Sequence, residues 1–328
     1  MVRHTPNRRL PMVPGMTSRP AAPPTLESIA GGGPARRFLT PVVGAIAVTV
    51  IAWASAFVAI RSVRASFDPG ALALGRLLIG SAALTVWVVV RRSWVRPNAR
   101  EWGLVVVVGV AWFGLYNVAL NAAEQRLDAG TAAMLVNIGP ILIALLAGWL
   151  LREGFPRWLL IGAVIAFGGA VLIGVASTSR GTADLQGVLL CLAAAAAWAV
   201  GVTAQKSVLG RLPGLQVTQM ACVIGAVACS PFAGRLFANL DGATVGGIAG
   251  MLYLGLIPTT LAFATWAYAL SRMPAGRLGI TTYLVPPLTI AASWPLLGER
   301  PPLLAVVGGM VALAGIALSR RRADRPSR

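Results

Sequence analysis

Charge is scarce in this 328-residue chain: 12% of its residues are charged and 57% are hydrophobic. Soluble domains carry about 25% charged and about 45–50% apolar residues, so a soluble globular protein is excluded. Acids are rarest, ten Asp+Glu against 28 Lys+Arg. The one histidine, His4, sits in the N-terminal tail, which leaves the apolar body without a histidine-based metal or catalytic site. Cys191, Cys222 and Cys229 all fall in apolar runs, so they make neither a secreted disulfide framework nor a CxxC pair. No GxxxxGK[ST] loop is present, so the chain has no nucleotide motor of its own. HExxH and GxSxG are missing as well, which argues against a membrane enzyme. No catalytic residue, metal or cofactor is expected.

What is abundant is long apolar sequence. A bilayer core of about 30 Å takes about 20 apolar residues per helix. Ten stretches qualify: 40–60, 71–90, 102–122, 130–151, 157–176, 186–205, 214–234, 245–269, 277–297 and 302–319. They are too continuous for barrel strands, which alternate polar and apolar residues over about ten positions. The fold class expected is therefore all-α and integral to the membrane. Residues 1–38, rich in Pro, Arg and Gly, read as a disordered tail, and 321–328 as a second, basic one.

The basic excess is mostly a topology signal. With the N-terminus inside, 21 of the Lys and Arg fall on the cytoplasmic side and six on the other, Arg76 being within a span. Ten spans with both termini cytoplasmic, in the cell membrane, follow from that bias. A nucleic-acid partner is not expected; the partners are the lipid bilayer and a small-molecule substrate. Monomer and homodimer stay equally open.

The two halves repeat. Ala52-Trp53-Ala54 matches Ala197-Trp198-Ala199, and Ser62-Val63 matches Ser207-Val208, at an offset of 145. An offset of 146 then pairs Arg126 with Arg272, Pro140 with Pro286, Glu153 with Glu299, Gly162 with Gly308 and Gly169 with Gly315. Repeats at 39–177 and 185–320 hold five spans each. An odd number inverts the second relative to the first, the architecture of secondary transporters with a midplane site between halves.

Trp53-Ala54-Ser55-Ala56-Phe57-Val58-Ala59-Ile60-Arg61, Arg76 after Pro69, and the segments Pro140 to Glu153 and Pro286 to Glu299 resemble EamA-type transporters of the drug/metabolite transporter superfamily. The resemblance covers roughly residues 40–320. It implies ten helices in two five-helix repeats around a central cavity, and transport of amino acids, metabolites or drugs, often outward. The chain departs from the repeat at position 221, the counterpart of Arg76, which is Ala.

The candidate cavity groups are those that lipid would not tolerate. Pro140 and Pro286, inside spans four and nine, would kink the helix and free a carbonyl. Trp53 and Trp198 lie about 20 Å along their spans at 1.5 Å per residue, deep enough that each indole N–H needs a partner. Trp266, with Trp112, is a weaker candidate of that kind. Asn117, Asn137, Thr260 and Tyr283 are polar groups that should face the bundle interior. Arg76, six residues into its span, either snorkels to the interface or serves as counter-charge to a carboxylate. Glu153 and Glu299 read as helix ends paired with Arg152 and Arg300. No acid falls at mid-span, which weakens carboxylate-based proton coupling and favours facilitated diffusion. The function expected is a secondary exporter of small metabolites, foremost amino acids or derivatives, working by alternating access. The alternatives are organic-cation or multidrug efflux and a non-transporting membrane scaffold.

Overall fold

Prolines and side-chain caps decide where the helices start. Pro69 opens a helix after Asp68, where its missing N–H costs nothing. Asn98 and Glu101 form a capping box: the Asn98 side chain accepts from Glu101 N–H at 2.9 Å, and the Glu101 carboxylate from Asn98 N–H at 2.8 Å. Asp128 and Thr244 cap in the same way, accepting from the N–H groups of Thr131 and Gly247.

The structure, a computed structural model, describes residues 34–92, 94–150, 157–178, 185–273 and 275–318. The chain forms two units, Met1–Thr40 and Pro41–Arg328, and all that follows concerns the second. The helices of the chain in order are α1 (Pro34–Val63, of which Pro41–Val63 belongs to the second unit), α2 (Pro69–Arg91) and α3 (Ala99–Glu124), then the half-helices α4 (Ala129–Val136) and α5 (Gly139–Leu150). Next come α6 (Arg157–Thr178), α7 (Leu185–Val208), α8 (Gly214–Ala228), α9 (Ala233–Asp241) and α10 (Val245–Arg272). The half-helices α11 (Ala275–Thr281) and α12 (Val285–Leu297) and finally α13 (Leu303–Leu318) complete the chain. Among the described residues every regular element is helical.

Six segments are long and apolar enough to cross a membrane: Pro41–Val63, α2, α3, Ala129–Leu146, α7 and α10. A seventh is the pair Gly214–Ala228 and Ser230–Asp241, bent by 52°. Shorter apolar helices occupy Leu160–Ile173 and Leu303–Gly315. Where the sequence suggested unbroken spans, three regions are interrupted.

Two of the interruptions correct the reading of the prolines. Pro140 and Pro286 do not kink continuous helices. Each is the second residue of a half-helix, α5 or α12, just after a break at Asn137–Ile138 or Thr282–Leu284. The physical reason is that a helix's first turn makes no use of the N–H proline lacks, so the chain restarts there rather than bending.

Each third span also widens. α3 carries a π-helical stretch at Val108–Leu115 and α10 one at Gly255–Leu261, around Pro258. In α10 the hydroxyls of Thr259 and Thr260 donate five residues back, to the carbonyls of Leu254 (2.7 Å) and Gly255 (2.9 Å). Such widened turns are often found at functional sites.

Opposite ends of the bundle carry equivalent contacts. At one end Arg61 pairs with Glu299 and donates to the Glu124 carbonyl at 2.6 Å, while Asp68 N–H donates to Asn239. At the other end Lys206, the counterpart of Arg61, donates to the Leu270 carbonyl at 2.7 Å and the Met273 carbonyl at 3.2 Å. There too Arg211 pairs with Glu101, which keeps the guanidinium above its ordinary value and hence charged. Glu299 thus pairs across to α1 and not with its neighbour Arg300, which stacks on Trp294 with 4.5 Å to the ring centre. Gly298, with a left-handed φ of +67°, ends α12 just before Glu299. Glu153 lies outside the described residues.

α6 and α13 pack through bare backbone. A Cβ on Gly308 would stand 2.8 Å from the Gly169 carbonyl oxygen, and one on Gly315 2.7 Å from that of Gly162. The four glycines are those paired by the repeat, spaced seven apart so that each pair shares one helix face.

Candidate functional site

Four tryptophans meet at the centre. The Trp53 ring lies 6.2 Å from Trp198, 6.3 Å from Trp112 and 4.9 Å from Trp266, centroid to centroid. Phe263 joins them, 5.6 Å from Trp53 and 5.0 Å from Trp112. Most of the pairs are edge-on or tilted, the arrangements that aromatic quadrupoles prefer. Glycines let the rings in: a Cβ on Gly139 would run into the Trp198 indole, and one on Gly201 into Trp112.

Below this cluster is a cavity of about 40 Å³, lined by Trp53, Ala56, Phe57, Arg76, Trp112, Tyr116, Leu120, Val136, Asn137, Trp198, Phe263, Thr282 and Val285. It has room for a few water molecules at about 10–15 Å³ each and is too small for an amino acid. In this conformation the cavity is closed to a solute of that size.

Two breaks and one charge supply the polarity. The Thr282 hydroxyl, on the α11–α12 break, donates to Asn137 Oδ1, on the α4–α5 break, at 3.2 Å. The two interrupted helices therefore touch where each loses its regular backbone, and both contacts line the cavity. Arg76 is the only charged side chain in the lining, and its Nε donates to Thr259 Oγ1 at 3.1 Å. It is 3% exposed. The snorkelling alternative for Arg76 is thereby overturned, because the α10 widening offers it Thr259 inside the bundle. The indole N–H of Trp198 has no partner among the described residues.

The remaining sequence candidates fall outside the lining. Trp266 is buried in the aromatic cluster. Asn117 donates within its own helix, to the Phe113 carbonyl at 2.7 Å. Thr260 caps the widened turn, and Pro140 and Pro286 begin the half-helices beyond the cavity wall. Tyr283 is half-buried on the α11–α12 break, next to Thr282. Thr282, Tyr116 and Phe263 are lining residues that the candidate set lacked. The only pointer to Thr282 was its place beside Tyr283, which the 146 offset that holds in this region pairs with Asn137. Among the described residues no group of histidines, cysteines and acids could hold a metal ion.

A side chain at Gly139 would push the Trp198 ring into the cavity. Gly139→Ala is expected to cost about 1–3 kcal/mol of stability, as overpacking does, and to lower transport more than Gly103→Ala, whose Cβ would meet nothing within 4 Å. Thermal unfolding in detergent and an uptake assay on the same preparations check both.

The EamA-like transporter family matches the chain twice, over residues 40–175 and 185–321. A protein of Streptantibioticus cattleyicolor named a probable terminal-alkyne amino-acid exporter is 35% identical over 87% of this chain and 95% of its own length. An uncharacterised transporter of Bacillus subtilis is 30% identical over 83% and 89%. A probable amino-acid metabolite efflux pump of Salmonella typhimurium is 24% identical over 83% and 92%. One solved crystal structure shares the fold at a TM-score of 0.60 and 19% identity, covering 85% of this chain and 97% of the other. With both halves matched and the relatives aligned almost end to end, this chain belongs to the EamA-like transporter family.

Proposed function

We propose that the chain exports amino acids or closely related small zwitterions by alternating access. The observation that carries this reading is Arg76, a buried cation that is the one charge in a cavity otherwise walled by aromatic rings, aliphatic side chains and the neutral polar groups of Tyr116, Asn137 and Thr282. A guanidinium recognises a carboxylate through charge-assisted hydrogen bonds, while the ring faces take an apolar side chain. The names of the relatives from S. cattleyicolor and S. typhimurium support the same class.

In this reading the helices make ten crossings in two inverted repeats, 39–177 and 185–320, with both termini in the cytoplasm of the cell. The α4–α5 and α11–α12 breaks then form the midplane site expected of discontinuous helices in inverted-repeat transporters. The Arg61–Glu299 pair lies at the outer end and the Arg211–Glu101 pair at the inner end.

An organic cation would also suit an aromatic cage. Arg76 disfavours that alternative, since two like charges a few ångströms apart in a low-dielectric site repel strongly. A non-transporting scaffold would have no use for a charged central cavity.

Counterflow into proteoliposomes tests the reading, with neutral amino acids, their O-acyl and thiol derivatives, and organic cations as loads. Exchange of the zwitterions with no exchange of the cations is expected. Exchange of cations alone would replace amino-acid export with cation efflux.

A further inference from the structure

The last residue of α3 is a carboxylate that the site described so far does not use. Glu124 lies one turn beyond Leu120 and two beyond Tyr116, on the helix face that lines the cavity. It is 0% exposed, and neither carboxylate oxygen has a hydrogen-bond partner among the described residues. The sequence placed this residue in a loop, because apolar residues run out at 122. The helix instead continues and carries the acid into the protein.

We propose that Glu124 is the proton-binding carboxyl that makes transport depend on pH. The proposal rests on the export reading above and adds its coupling. Burying an ionised carboxylate without a partner is far costlier than burying the neutral acid, so this closed conformation suits the protonated form. The groups around it are Arg61 from α1, Arg76 from α2, Asp128 from the turn before α4, Cys191 from α7, Tyr116 on its own helix, and Glu299 after α12. Asp128 is occupied by the N–H and hydroxyl of Thr131, and Arg76 is on Thr259. Arg61 is the cation within reach that has a choice of acid. It donates to the backbone carbonyl of Glu124 while its Nε goes to Glu299.

The repeat shows that the backbone contact at this position does not need an acid. The counterpart of Glu124 at the 146 offset is Leu270. Lys206 donates to the Leu270 carbonyl as Arg61 does to the Glu124 carbonyl. The second half makes the same backbone contact at its own end of the bundle with an apolar side chain in that place. The carboxyl of Glu124 is thus an addition to one end only.

The step is a plain proton transfer. When the Glu124 O–H bond breaks, the proton passes to water on that side, and the new carboxylate takes an N–H of Arg61. Arg61 then divides between two acids, and the Arg61–Glu299 latch loosens. Reprotonation returns Arg61 to Glu299 alone and holds that end shut.

The test uses the full chain in proteoliposomes, at equal pH on both faces, with an amino acid that the wild type exchanges. Wild-type exchange should quicken as pH rises. Glu124→Gln should keep the wild-type unfolding midpoint and lose the pH dependence, staying near the low-pH rate. Glu124→Asp should keep a pH dependence with a displaced midpoint. A Glu124→Gln protein that keeps the wild-type pH profile overturns the proposal, as does a wild type with a flat profile. A second measurement needs no substrate. Infrared difference spectra of the wild type should hold a protonated-carboxyl band at neutral pH that Glu124→Gln lacks, and its absence from the wild type overturns the proposal. If no amino acid is exchanged at all, the export reading falls, and the infrared band still decides on Glu124.

Discussion

Arg76→Gln is expected to weaken transport of a carboxylate-bearing substrate by about 10–100-fold in apparent affinity, from a charge-assisted hydrogen bond worth about 1.5–3 kcal/mol. The side chain is buried, lines the cavity and stands alone there as a charge. Among the described residues its one hydrogen bond is to Thr259. The two duties separate by choice of substrate. If Arg76 binds the carboxylate, Arg76→Gln loses the amino acid and spares its methyl ester, which has no anion to offer. If Arg76 merely braces α10 through Thr259, acid and ester fall together. Arg76→Lys keeps the charge but loses the planar fork of donors, so it should sit between the two. Competition of amino acid and ester in the counterflow assay gives the answer.

Gly308→Val should destabilise the protein by about 3 kcal/mol or more, the upper range for overpacking, because two of the three nearest neighbours are backbone atoms. The new Cβ would meet the Gly169 carbonyl oxygen at 2.8 Å and the Ile173 N at 2.9 Å, and neither can rotate away. α6 and α13 would have to separate along their length. Gly168→Val is the matched control, one residue from Gly169 and with nothing within 4 Å of its Cβ. Unfolding titrations in mixed detergent should show a large loss for Gly308→Val and almost none for Gly168→Val. Equal losses would mean that the glycines matter for helix formation and not for the contact between α6 and α13.

Much of this was legible in the sequence, because a membrane simplifies what sequence must say. Apolar runs mark the helices, and the offsets of 145 and 146 lead straight to Trp53 against Trp198 and to the glycines of α6 and α13. Other features were hidden for physical reasons. Whether Pro140 bends a helix or begins one depends on the two residues before it, and hydropathy is silent on that. The widened turns of α3 and α10 leave no mark on composition. The partner of Glu299 is Arg61, 238 positions away, where sequence offered only its neighbour Arg300. Glu124 looked like loop because polar residues surround it, yet they cap and tether the helix end: Asn121 donates to the Pro69 carbonyl and Gln125 to the Arg64 carbonyl.

The aromatic cluster has an optical consequence. Trp53, Trp112, Trp198 and Trp266 are joined by ring contacts of 4.9 to 6.3 Å, so their transition dipoles couple and they absorb as one assembly instead of as four separate chromophores. Exciton coupling falls steeply with separation and changes sign with the angle between the rings. Trp53, Trp112 and Trp198 line the cavity of about 40 Å³, so an opening on that wall wide enough to admit a solute parts these rings. The near-ultraviolet circular dichroism of the unlabelled protein is therefore a built-in gauge of whether its centre is open or closed.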